Sequence, residues 1–196
     1  MLIIVEGYTD EDFIKLYFGF LISNDKSLSN IKIANKNFKK TEGKDNIKSV
    51  EPDITTALEK DERVLIIFDA DNNKEESLKS IHKQLDSLNV SWKNQCEIFL
   101  MPNNQDNGNL ETLLEKIAKE KCILKCFDSY TECITKLQNK NPKIRLPAKK
   151  SKAFAYLSSF GFKNGDKGFK LNEYVLDLQN SYLDKLKNFL IKGATK

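Results

Sequence analysis

Two hydrophobic patterns alternate along this chain: short unbroken apolar runs and sets of apolar residues at helical spacing. Leu2-Ile3-Ile4-Val5 is an unbroken run ended by Glu6-Gly7, the pattern of a strand buried on both faces. Thr9 followed by Asp12 resembles a capping box, and Phe13, Leu16, Tyr17, Phe20 and Leu21 then recur at helical spacing, predicting a helix to about Ile22. Ile31 to Ala34 alternates as a shorter strand. Lys36 to Lys48 is polar and reads as irregular, and Pro52 suits the first turn of a helix that includes Thr55 to Glu59. Val64 to Phe68 is the clearest buried strand and runs into Asp69-Ala70-Asp71-Asn72-Asn73. An amphipathic helix follows, carrying Leu78, Ile81, Leu85 and Leu88. Glu97 to Met101 is a further strand, stopped by Pro102 and a polar loop to Asn109, after which Leu110-Glu111 opens a helix.

Strands alternating with helices predict an α/β fold with a mostly parallel central sheet flanked by helices, because each crossover must return the chain to the same sheet end. From Cys122 onward the pattern turns helical, with helices expected over Cys122 to Leu137, Ala148 to Phe160 and Asn180 to Ile191. We expect one domain over 1–196, an α/β core over 1–120 and a helical C-terminal portion over 121–196, with Asn139 to Pro147 as the best internal break.

Composition narrows the chemistry. At 196 residues and 40% hydrophobic content the chain can bury one core. No apolar run approaches the roughly 20 residues of a membrane helix, so a soluble, cytoplasmic protein without signal peptide is expected. Cys96, Cys122, Cys126 and Cys133 form no CxxC pair, and the last three recur at helical spacing, reading as reduced core residues. One histidine, His82, excludes a multi-histidine zinc site. Acid and base work falls to carboxylates or lysine. The formal charge of +4 carries little weight, because only Arg63 and Arg145 among 32 basic residues are arginine, the bias of an AT-rich genome.

Glu6, Asp69, Asp71 and Glu111 all follow strands toward one sheet edge. Asp69 and Asp71 are two apart, so an extended backbone would point both carboxylates the same way. Clustered carboxylates repel unless protons or cations neutralise them, and magnesium is held by one or two carboxylates with water and substrate phosphate. Each residue also has a plain structural reading: Glu6-Gly7 as a turn, Asp71 or Asn72 as a helix cap, Glu111 as a complement to a helix dipole.

Val5-Glu6-Gly7-Tyr8-Thr9-Asp10 and Phe68-Asp69-Ala70-Asp71-Asn72-Asn73 resemble the two motifs of the Toprim family, a strand ending in Glu-Gly with an acid four residues on, and Asp-x-Asp. Met101-Pro102-Asn103-Asn104, Gly108-Asn109-Leu110-Glu111 and Lys152-Ala153 are similar to motifs of a stand-alone Toprim-like family related to the overcoming-lysogenization-defect nucleases. Asn103 and Asn109 stand where that pattern favours acids.

The resemblance implies a Toprim (Rossmann-like) fold and Mg2+- or Mn2+-dependent cleavage of DNA or RNA. Asp69, Asp71 and Glu111 would hold metal, Asp10 would be a further ligand, and Glu6 a ligand or proton acceptor. A catalytic lysine is expected near residue 150: a helical projection favours Lys149, but the resemblance favours Lys152, and Lys152 is the residue expected to act. The alternatives are a non-catalytic nucleic-acid-binding or regulatory module and nucleotidyl transfer, although no Walker-type loop is present. A protein partner or homo-oligomer stays open.

Overall fold

The computed structural model describes residues 1–162 and 171–195. By contact density they form two compact units, Met1–Leu113 with Leu178–Lys196, and Leu114–Asp177.

The first unit is built on four parallel strands, β1 (Leu2–Val5), β2 (Phe38–Lys40), β3 (Val64–Asp69) and β4 (Cys96–Met101), in the order β2-β1-β3-β4. It is a Rossmann-like α/β arrangement, as the alternation of patterns predicts. Helices α1 (Tyr8–Asn24), α2 (Glu51–Glu59) and α3 (Lys74–Asp86) connect the strands, α4 (Leu110–Ile117) opens after β4, and α7 (Asp184–Thr195) closes the chain. Successive side chains of a strand face opposite sides, so each apolar run feeds two cores. Leu2, Ile4, Val64, Ile66, Phe68 and Leu100 pack with Ile54 and Ala57 of α2 and Ile81 and Leu85 of α3. On the alternate positions, Phe99 meets Phe189 of α7 at 5.3 Å between ring centroids. Gly193 brings α7 so close to β3 that a Cβ there would stand 2.6 Å from a Leu65 methyl carbon. Phe13, Leu65, Ile67, Leu85 and Phe99 are all buried.

One expected strand is displaced. Residues 31–34 are not a strand; β2 lies at Phe38–Lys40, inside the stretch that reads as irregular. Phe38 is buried while Ile31 and Ile33 are only half-buried, so the aromatic, not the alternating isoleucines, seats this short edge strand beside β1.

The second unit contains α5 (Lys121–Lys140), packed against α6 (Ser151–Ser158). The helical reading of this region holds, but the cysteine reading does not. Only Cys96 is buried; Cys122, Cys126 and Cys133 are exposed free thiols, because α5 buries a single side chain, Leu124. Helical spacing thus marks a face of α5 that this unit leaves in solvent. No described helix is long and apolar enough to cross a membrane.

Candidate functional site

The strand order reverses between β1 and β3. From β1 the chain passes to β2 on one side, then returns to β3 on the other. In open parallel sheets such a switch point opens a crevice beyond the strand carboxyl ends. Glu6 follows the last residue of β1, and Asp69 ends β3. The two are joined directly, for the Asp69 backbone N–H donates to Glu6 Oε1 at 2.7 Å.

Three further acids gather on this pair. Asp10 lies in the first turn of α1, where its Oδ2 accepts the Gly7 N–H at 3.0 Å. The cap of α1 is therefore the Gly7–Asp10 pair, not Thr9 with Asp12. Glu111, 8% exposed, lies in the first turn of α4, and the Leu110 N–H of that turn donates to Asp69 Oδ1 at 3.0 Å. Asp69 thus faces a helix N-terminus, whose dipole favours a negative group.

Asp71 departs from the extended geometry expected of it. Its φ of 53° is left-handed, and it exchanges two 2.7 Å backbone hydrogen bonds with Gly108. The chain turns sharply after β3, so Asp71 acts on Glu6 while the like charges felt most at Asp69 are Asp10, then Glu6, then Glu111. Asp71 does not cap the next helix, and neither does Asn72. Asn73 does, its Oδ1 accepting the N–H groups of Glu75 and Glu76 at 3.1 and 3.2 Å.

Burial and mutual repulsion raise the cost of ionising this cluster. Burial, against the Asp69 N–H and with the charges of Asp10 and Asp71, pushes Glu6 up to about 7. Burial first, then Asp10 and Glu6, pushes Asp69 up to about 8. A cation bound here would offset both effects.

A model of the family described as protein of unknown function (DUF3226) matches residues 1–193. The chain belongs to this family. No curated protein and no solved structure matches it.

In this DUF3226 chain the two asparagines beside the cluster have structural tasks. Asn109 caps α4, its Oδ1 accepting the Thr112 N–H at 3.0 Å and the Thr112 hydroxyl at 2.9 Å. Asn103 folds the preceding loop by accepting the Gln105 and Asp106 N–H groups at 3.0 and 2.9 Å. Gly108 is required by its φ of 142°, and a Cβ there would stand 2.9 Å from Thr112 Oγ1.

The donor set fits a hard divalent ion, since every candidate ligand is a carboxylate. Among the described residues no three or more Asp, Glu, His or Cys side chains are arrayed as a finished metal cage. Magnesium does not need one, because it commonly takes one or two carboxylates and completes its shell with water and substrate oxygen.

Lys152 belongs to the 114–177 unit, where its ammonium pairs with Asp128 at 2.7 Å and Glu115 at 3.7 Å. Lys149 precedes α6, which begins at Ser151, so the helical projection that puts it on an apolar face does not apply. Among the described residues, a cation that pairs with the acidic cluster is one that the sequence patterns do not single out. Lys44, in the loop after β2, forms an ion pair with Asp71 and acts on Glu6 as well. Its only cue in the sequence is Gly43-Lys44 within a polar stretch, one lysine among 30.

Proposed function

We propose that this chain is a cytoplasmic Toprim-type nuclease that cleaves phosphodiester bonds of DNA or RNA with Mg2+ or Mn2+ at the acidic cluster. The observation that carries the reading is the convergence of Glu6, Asp10, Asp69, Asp71 and Glu111 on the switch point, with Glu6 and Asp69 pushed to about 7 and about 8 by burial and the charges of neighbouring acids. The order and spacing of the sequence motifs support the same reading.

Asp69 and Glu111, with Asp10 and Asp71 beside them, are the residues that would hold the ion. A bound divalent ion supplies charge neutralisation and polarises a phosphate oxygen. Glu6, held at the cluster by the Asp69 N–H, is the carboxylate placed to accept a proton. Water oxygen would bond to phosphorus as its proton passes to Glu6, and the bond from phosphorus to the leaving sugar oxygen would break. That oxygen takes a proton from solvent.

Purified protein incubated with supercoiled DNA, linear DNA and RNA tests this, with Mg2+ or Mn2+ and with chelator. Cleavage lost in chelator and in Asp69→Ala is the expected result. Retained ion binding without cleavage of any substrate would overturn the nuclease reading in favour of a binding or regulatory module.

A further inference from the structure

The backbone around Lys44 is pinned on several sides. The loop that carries it leaves β2 through Thr41, which is fully buried and whose N–H donates to Val5 O at 3.1 Å. The next two residues take positive φ, 54° at Glu42 and 131° at Gly43, and for a glutamate that conformation persists only where surrounding contacts enforce it. Those contacts are present. Gln84 of α3 grips the loop from both sides, its Nε2 donating to Lys44 O at 2.9 Å and its Oε1 accepting the Ile47 N–H at 3.0 Å. Asn46 Nδ2 closes the turn onto Thr41 O at 2.8 Å, and the Ser80 hydroxyl reaches Asp45 at 3.3 Å. The backbone is fixed, while the Lys44 side chain stays 41% exposed with its ammonium on Asp71 Oδ2.

An ammonium and a divalent ion are both drawn to the same carboxylate. A lysine needs only a few rotatable bonds to move its charge several ångströms without disturbing the backbone. We propose that Lys44 is an exchangeable counter-ion and the phosphate-binding lysine of this site: a divalent ion competes with it for Asp71, and the displaced ammonium contacts the phosphodiester. This rests on the nuclease reading above and adds to it. It assigns the phosphate contact to the loop after β2 and predicts opposite effects of one substitution on metal affinity and on turnover.

The test is a Mn2+ titration followed by electron paramagnetic resonance of the free ion, paired with cleavage kinetics, on the full chain and on Lys44→Met and Lys44→Gln. Both variants should bind Mn2+ about threefold more tightly, the scale of one exposed ion pair. At saturating Mn2+ both should lose at least tenfold in kcat, as expected when a charge aimed at the phosphate is removed. A structural role alone would not tighten metal binding. Unchanged or weaker Mn2+ affinity in both variants would overturn the competition, and wild-type kcat in both would overturn the phosphate contact. If the wild-type chain binds Mn2+ but cleaves nothing, the nuclease reading falls with the phosphate contact, while the affinity arm still decides the competition. If it binds no Mn2+, both the metal reading and the competition fall.

Discussion

Replacing Asp69 by asparagine should make the protein more stable at alkaline pH, the reverse of the usual effect of mutating a half-buried polar residue at the end of a core strand. Proton linkage sets the direction. The folded-state acid of Asp69 is raised from 3.8 to about 8 by burial and by Asp10 and Glu6. Between those values the folded chain holds a proton that the unfolded chain has lost. Stability therefore falls as pH rises through that window and is fully present only below it. Each unit is worth about 1.4 kcal/mol, so the ceiling for Asp69 is on the order of 6 kcal/mol. The substituted amide cannot ionise, yet its carbonyl can still accept the Leu110 N–H that Asp69 Oδ1 now accepts. Urea unfolding in chelator at pH 5 and pH 8.5 should show the stability of the variant relative to wild type rising by about 2 kcal/mol or more from the lower pH to the higher. Excess Mg2+ at pH 8.5 should restore the wild-type chain and leave the variant unchanged. An identical pH dependence in the two proteins would overturn the assignment, because Asp69 would then ionise as easily folded as unfolded.

Other consequences follow from the same geometry. Gly108→Ala should cost about 1 to 3 kcal/mol in chemical denaturation, since alanine meets both the positive φ and the close Thr112 hydroxyl; wild-type stability would show that the loop relaxes freely. Under native conditions a thiol reagent should modify Cys122, Cys126 and Cys133 quickly and Cys96 only on unfolding, because burial pushes the Cys96 thiol up to about 12. Rapid modification of all four in the folded protein would contradict the packing of β4. Leu85→Ala should lose about 2 to 5 kcal/mol, read by the same unfolding assay; a loss under about 1 kcal/mol would mean the α3 face of the sheet is loosely packed.

The strands that carry the acids are legible because they are buried on both faces. Leu2 to Val5 and Val64 to Phe68 can be unbroken apolar runs only where helices cover the sheet twice, and their ends announce themselves as Glu6 and Asp69. An edge strand leaves a fainter mark. Phe38–Lys40 places one buried aromatic and two lysines, which in sequence looks like loop, whereas Ile31 to Ala34 alternates convincingly without pairing. The conformation of Asp71 is equally hidden, since spacing of two implies a shared side only in extended backbone, and nothing local announces a left-handed residue there. Lys44 reaches Asp71 across 27 positions of sequence, a contact set by the loop geometry and the Gln84 grip. Cysteines at helical spacing mislead for a related reason: periodicity identifies a face of α5, not what covers it.

Whether a divalent ion binds among these carboxylates can be located residue by residue. With substoichiometric Mn2+, amide NMR signals within a few ångströms of the ion broaden beyond detection, while those about 20 Å away, roughly six residues back along a strand, do not. A metal centre at the switch point requires selective loss of the Gly7, Asp69, Ala70 and Leu110 amides, with Arg63 at the opposite edge of the sheet retained and the effect abolished in Asp69→Asn. Uniform broadening, or loss centred on any other part of the chain, would contradict it.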